Sequence, residues 1–354
     1  MMKLRTSINV FHGPENIGGI GRKLADWQRD RRSVVSDFIV FSDNTSFQNS
    51  HQNLHLEQIG LLRRTVIQLK FLVSAIKKYD VFNFYFGKSF LPFNLDLPIL
   101  KLLGKKVIMF YVGSDVRLTC IEMNRNAYFH HRKKFEKKHA PPDWLKVFRM
   151  LWHNLWCDRC IAPRSVASYV TRFYKKSKVI SNLWIVNAFD VPEIPPQPTN
   201  HSIPLIIHAP TSPERKGSRF VQAAVDELRK SGYQFEYKLV IKHDHQELIG
   251  ILRDQADIVV DQLLSGDFGN LAVESLSFGK IVCGNVSNEL RKDIPDLPII
   301  QVAPDTLKGT LEYLITHWNE YDDYARKSWE FARENFDQEK LNSRLWDLYL
   351  ELVR

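Results

Sequence analysis

The feature that most constrains this chain is a strand-then-helix rhythm that runs along it twice. A short apolar run, a turn and then an amphipathic stretch at helical spacing is the pattern of parallel strands joined by crossover helices. In the first pass Ile8–Phe11 reads as a strand, Gly18-Gly19-Ile20-Gly21 as a turn and Arg22–Arg31 as a helix. Strands are predicted at Asp37–Phe41, Val81–Phe86 and Lys106–Val112, with helices at Leu61–Lys78 and Leu95–Leu103. Cys160–Pro163 and the amphipathic Ser165–Tyr174 resume the rhythm after a break. In the second pass strands are predicted at Leu205–Pro210, Glu236–Ile241, Asp257–Gln262 and Lys280–Gly284. Helices at Ser218–Lys230, His245–Gln255 and Leu271–Phe278 alternate with them, so a second Rossmann-like sheet is expected. The tail from Thr306 to Arg354 is helical in pattern almost throughout and suits packing across two lobes.

Between the passes, Val191–Pro204 carries Pro192, Pro195, Pro196, Pro198 and Pro204, a density that suits a stiff connection. At 354 residues, two domains are the first expectation. The boundaries are drawn at 1–192, an N-terminal domain, and 193–335, a C-terminal domain, with a helix over 336–354 packing back toward the first.

The break in the rhythm, Arg125 to Trp156, interleaves Lys and Arg with Tyr128, Phe129, Phe135, Trp144, Phe148 and Trp152. Residues 125–152 therefore read either as a face for an anionic membrane surface or as an ordinary solvated basic face. The charge balance, 49 Lys and Arg against 40 Asp and Glu for a net +9, favours anionic partners without choosing among them. No nucleic-acid-binding module is present, so no nucleic-acid partner is expected. The start of the chain does not read as a signal peptide, and no apolar run approaches the ~20 residues a spanning helix needs. A cytoplasmic protein, on the inner membrane face at most, is expected. The close pair Cys157 and Cys160 lacks a second pair to complete a zinc site and reads as structural thiols.

The segment with the sharpest chemistry is SGDFGNLAVESLSFGKIV, Ser265–Val282, directly after the strand at Asp257–Gln262. A Gly-containing loop between a parallel strand and a helix aims backbone N–H groups and the positive helix end at the sheet's carboxyl edge. That is a phosphate seat, with Gly269, Asn270 and Leu271 supplying the amides. Glu274, one turn on, is placed to accept from ribose hydroxyls, or else is a helix residue favoured by the dipole.

Here the sequence resembles the glycosyltransferase family 4 group and its GT-B relatives. The likeness rests on ADIVVDQLLSGDFGNLAVESLSFGKIV, supported by ERKGSRFVQAA (Glu214–Ala224), WIVNAFD (Trp184–Asp190) and GGIGRKLA (Gly18–Ala25). It implies an α/β fold of two Rossmann-like domains facing across a cleft, with C-terminal helices crossing back to the N-domain. It further implies an acceptor on the N-domain and a nucleotide-sugar donor on the C-domain. Glu274 matches the family's ribose-holding glutamate, whereas the sugar-contacting glutamate falls on Gly266. The family's phosphate-binding Arg falls near Thr211, Lys216 keeps the Lys position, and Arg215 offers a neighbouring charge. The N-domain active-site His is replaced at Val112.

Lys216 is the expected diphosphate cation, its bland alternative being a surface lysine at a helix start. His208 is expected at the same site or simply packed. Asp115 is a candidate base or acceptor-orienting residue, with a turn role as the commoner explanation. Gly18, Gly19 and Gly21 either let the backbone approach a ligand or form a tight turn; GPENIGGIG is not the nicotinamide fingerprint. No Asp-x-Asp occurs, so no metal and no cofactor is expected. The leading expectation is sugar transfer from a nucleotide-diphosphate donor to a glycan or lipid-linked acceptor, in cell-surface polysaccharide or glycolipid synthesis. A non-catalytic partner of another glycosyltransferase, or an epimerase or hydrolase of the donor, are the alternatives.

Overall fold

The computed structural model describes residues 8–42, 50–182, 191–197, 199, 201–241, 244–320 and 322–354. WIVNAFD, 184–190, lies outside them. The chain divides into two compact units: Met1–Leu118 with Ala140–Ala188 and Glu339–Arg354, and Thr119–His139 with Phe189–Gln338. Residues 119–139, which the sequence reading keeps within 1–192, thus group with the second unit.

The first unit is built on seven parallel strands: β1 (Val10–Gly13), β2 (Ser36–Val40), β3 (Gln52–Asn53), β4 (Val81–Tyr85), β5 (Lys106–Phe110), β6 (Arg159–Ile161) and β7 (Val179–Ile180). Their order, β3-β2-β1-β4-β5-β6-β7, is that of a doubly wound sheet. Alternation along the strands sends Val10, Val81, Ile108 and Ile161 to one face. There they meet Ile20 and Leu24 of helix Ile20–Arg32, and Leu341, Leu345 and Tyr349 of the final helix, Gln338–Val353. The other face sends out Phe11, Phe82 and Phe84, which pack with Phe90, the Phe11 and Phe90 ring centres being 4.9 Å apart. Close aromatic pairs of this kind add ~0.5–1.5 kcal/mol beyond the area they bury.

The second unit holds β8 (Leu205–His208), β9 (Glu236–Leu239), β10 (Ile258–Val260), β11 (Ile281–Gly284) and β12 (Ile300–Gln301), all parallel, in the order β12-β11-β10-β8-β9. Ile206, Ile258, Val260 and Ile281 face helices Ser218–Lys230 and Leu307–His317. Ile207 and Val259 face helices His245–Asp254 and Asn270–Ser277. Helix Ser218–Lys230 buries Val221, Ala224, Val225 and Leu228, the i, i+3, i+4, i+7 stripe its sequence dictates. The Pro-rich stretch is tied into this unit, since Trp329 Nε1 donates to the Pro192 carbonyl at 2.8 Å.

Candidate functional site

In the second sheet the chain leaves β8 toward β9 and later returns on the other side to β10, β11 and β12. The direction of winding therefore reverses between β8 and β10, and open α/β sheets bind ligands at the carboxyl ends of the strands flanking such a reversal. His208 ends β8, and Asp261 follows β10.

Lys216 reaches this point from the short helix Pro213–Lys216. Gly217, at φ 85°, turns the chain into the next helix, and a Cβ there would stand 3.1 Å from Leu264, so glycine answers both demands. The Lys216 ammonium lies 2.9 Å from Asp261 Oδ1, and the Gly269 amide donates to Asp261 Oδ2 at 2.7 Å. A Cβ on Gly269 would fall 2.8 Å from Lys216 Nζ, so this glycine makes room for the ammonium beside the start of helix Asn270–Ser277. Gly269 caps that helix without a side chain to accept from its first amides. Asn270 is exposed while Leu271 to Ser277 are buried, leaving the helix start as the open end.

Lys216, Gly269, Asn270 and Leu271 are therefore brought together. Asp261, 1% exposed and absent from the sequence expectation, anchors the lysine. Glu274 lies one turn in, buried, and accepts from His245 Nε2 at 2.8 Å; His245 is a second residue the sequence reading passed over. Asp261 and Lys216 are 45 residues apart, and Glu274 and His245 29, so no local pattern advertised either pair.

Other expected members sit differently. His208 is buried, with Nδ1 2.7 Å from the Val260 carbonyl and Nε2 2.8 Å from Ser218 Oγ. A carbonyl only accepts, so Nδ1 carries the proton and Nε2 accepts from the serine hydroxyl. Burial lowers its pKa to about 4 and keeps the ring neutral. His208 ties β8, β10 and a helix together, and both its nitrogens are used inside the fold, a correction to its expected donor contact. Thr211 is exposed. The Arg215 guanidinium lies 3.9 Å from the Glu136 carboxylate. Gly266 stands at φ 62°, a left-handed conformation that disfavours the glutamate found there in the resembled family.

Residues 119–139 brace the loop before the helix. Arg132 is buried, donating to Ser265 Oγ at 2.7 Å beside Glu136 at 3.3 Å and Glu122 at 3.7 Å. Asn126 donates to the Leu264 carbonyl at 2.9 Å. Arg132, read from the sequence as part of a basic surface, is an interior residue.

In the first unit Asp115 is buried, and the amides of Gly113, at 2.7 Å, and Val112, at 3.2 Å, donate to its Oδ1. Burial raises its pKa to about 6 against the opposing pull of those amides. Its carboxylate accepts from the amides of its own loop, as a turn aspartate does. Gly18 and Gly19 are left-handed turn residues. Gly21 serves packing, because a Cβ there would lie 2.5 Å from the Phe38 ring. Among the described residues no group of three or more His, Cys, Asp or Glu side chains converges as metal ligands would.

No protein-family model matches the chain, and no curated protein matches it by sequence. Solved structures do. The S. aureus MnaA–UDP co-structure is 13% identical with a TM-score of 0.57, covering 98% of this chain and 97% of its own. The catalytic domain of starch synthase IV from Arabidopsis thaliana, bound to ADP and acarbose, is 12% identical at 0.56, covering 98% and 99%. The fold is GT-B. The apo form of WaaB, a lipopolysaccharide outer core galactosyltransferase, is also similar, at 11% identity and 0.54 over 92% of this chain and 96% of its own. With a GT-B fold, the reversal between β8 and β10 belongs to the second of two Rossmann-like sheets. No described helix is long and apolar enough to cross a membrane.

Proposed function

We propose that this GT-B protein is a glycosyltransferase whose second unit holds a nucleoside-diphosphate sugar. The observation that carries the reading is the start of helix Asn270–Ser277, where a glycine cap, a lysine ammonium and, one turn on, a buried glutamate converge at the sheet's winding reversal. The diphosphate would meet the amides of Gly269 to Leu271 and the Lys216 ammonium. That fixed cation, held by Asp261, stabilises the charge that grows on the diphosphate as the glycosidic bond breaks. Lys216 is our reason for proposing transfer without a metal. Glu274, oriented by His245, would accept from the ribose hydroxyls. Gly266 brings backbone alone to the transferred sugar. The acceptor would be a glycan or a lipid-linked molecule, in cell-surface polysaccharide or glycolipid synthesis. The UDP and ADP named with two of the structural neighbours make nucleoside diphosphates the first ligands to try.

A second reading, a non-catalytic partner of another transferase, draws on Gly266, on Val112 and on the Asp115 carboxylate accepting from the amides of its own loop. A thermal-shift panel of UDP, GDP, ADP, CDP and dTDP with their sugar conjugates, beside Glu274→Gln, separates the readings. One diphosphate should raise the melting temperature, and the variant should lose the shift; no shift with any member would favour the partner reading. Turnover of the donor without any acceptor would instead make the protein an epimerase or hydrolase.

A further inference from the structure

The first unit carries an apolar surface that the donor site does not explain. Helices Leu61–Lys78, Asp96–Leu102 and Asp143–Trp156 cross over to β4, β5 and β6, which are consecutive in the sheet. Right-handed crossovers place all three on one sheet face, side by side. Phe71 of the first packs on Phe11 and Phe90, and Trp152 of the third donates to the Asn94 carbonyl just before the second.

Each helix repeats one spacing on its outer side. Leu62, Val66, Leu69 and Val73 are exposed on the first, at i, i+4, i+7 and i+11. Trp144, Phe148, Leu151 and Leu155 repeat that spacing on the third, and Leu95, Ile99 and Leu102 its first three places along the second. Such stripes normally face a core. Here Leu62 is 86%, Leu102 82% and Trp144 70% exposed. Of the twenty exposed large apolar side chains among the described residues, fourteen lie on these helices and the turns at their ends, which makes the exposure a surface and not scatter.

The charge on this face selects the occupant. Helix Leu61–Lys78 carries Arg63, Arg64, Lys70 and Lys77 and no acidic residue, its last lysine, Lys78, being paired with Asp37. The acids on and beside the other two helices are taken internally: Asp96 is buried and accepts from Ser89 and Phe90, Asp143 pairs with Lys146 and Asp158 with Lys101. A second copy presenting the same face would bring these cations only acids that are already buried or paired with lysines, whereas an anionic lipid surface brings phosphates. We infer that the first unit docks on an anionic lipid bilayer through the outer sides of these three helices, apolar side chains entering the headgroup boundary and basic ones meeting lipid phosphates. The inference is independent of the donor site. It relocates the membrane face expected over 125–152: of that stretch the 144–152 part contributes, while Arg132 lies in the interior of the second unit.

The test is co-sedimentation with phosphatidylcholine vesicles and with vesicles containing phosphatidylglycerol, for the wild type and a Leu62→Ser/Leu69→Ser/Leu102→Ser/Phe148→Ser variant. The wild type should pellet with the anionic vesicles, and the variant should lose about tenfold or more in partition coefficient. Should the variant misfold, quenching of wild-type tryptophan fluorescence by brominated phosphatidylglycerol, diminished in Trp144→Phe, reports the same contact. Equal binding to neutral vesicles, no binding to either, or a dimer in sedimentation velocity that the variant dissociates would each overturn the inference.

Discussion

Lys216→Met tests the architecture of the site before any ligand is known. The substitution removes the ammonium 2.9 Å from Asp261 and leaves that buried carboxylate to the Gly269 amide. Removing one partner of a buried pair costs about 3–5 kcal/mol. The lysine side chain keeps 13% of its exposure, so water relieves part of this and about 2–3 kcal/mol is expected. Asp261→Asn keeps an oxygen for the Gly269 amide while removing the charge, and should cost about 1 kcal/mol. In the double variant no unpaired charge is left behind, so the two effects should fall short of additivity by about 2 kcal/mol. Urea denaturation of the four proteins measures this coupling. Additivity within about 0.5 kcal/mol would refute the claim that Asp261 holds the lysine.

Acid should destabilise the fold. Burial lowers the pKa of His12 and His208 to about 4 and of His153 to about 3, so each binds its proton more readily when unfolded, and the stability it contributes above pH 6.5 is lost as pH falls toward 4. Asp115, raised to about 6, works oppositely between pH 6 and 4, so unfolding near pH 5 should take up about two protons from these four groups, measurable as the slope of stability against pH. Gly21→Ala sets a methyl against the Phe38 ring and should lower stability by about 1–3 kcal/mol in the same urea assay. Arg132→Met removes the guanidinium from beside Glu122 and Glu136 and should cost about 3 kcal/mol; a cost below about 0.5 kcal/mol would remove Arg132 as a brace of the Ser265–Gly269 loop.

The legible parts of the fold were those whose signal is local. Helices Leu61–Lys78 and Ser218–Lys230 fall where their apolar spacing placed them. The longer strands were also found, although β5 ends at Phe110 and β10 at Val260, two residues short of where the sequence placed their ends. The two-residue edge strands β3, β7 and β12 are too short to show a period. Within the site, the strand, loop and helix from β10 through Ser277 could be read because they are contiguous. Asp261 and His245 could not, because their roles depend on which strand ends the sheet order brings together. Arg132 shows the same limit: in sequence it is one cation in a basic run, and only the fold encloses it between two glutamates.

The central claim is that the helix start at Asn270 seats a diphosphate beside Lys216, with Glu274 holding the ribose. Calorimetric titration of the wild type and Glu274→Gln with a nucleoside diphosphate and its monophosphate tests it most directly. The account predicts that the diphosphate binds about tenfold or more tightly than the monophosphate, and that the variant weakens both by about tenfold, the loss of one charge-assisted hydrogen bond. Equal affinity for the two nucleotides, or affinity that Glu274→Gln leaves unchanged, would contradict it.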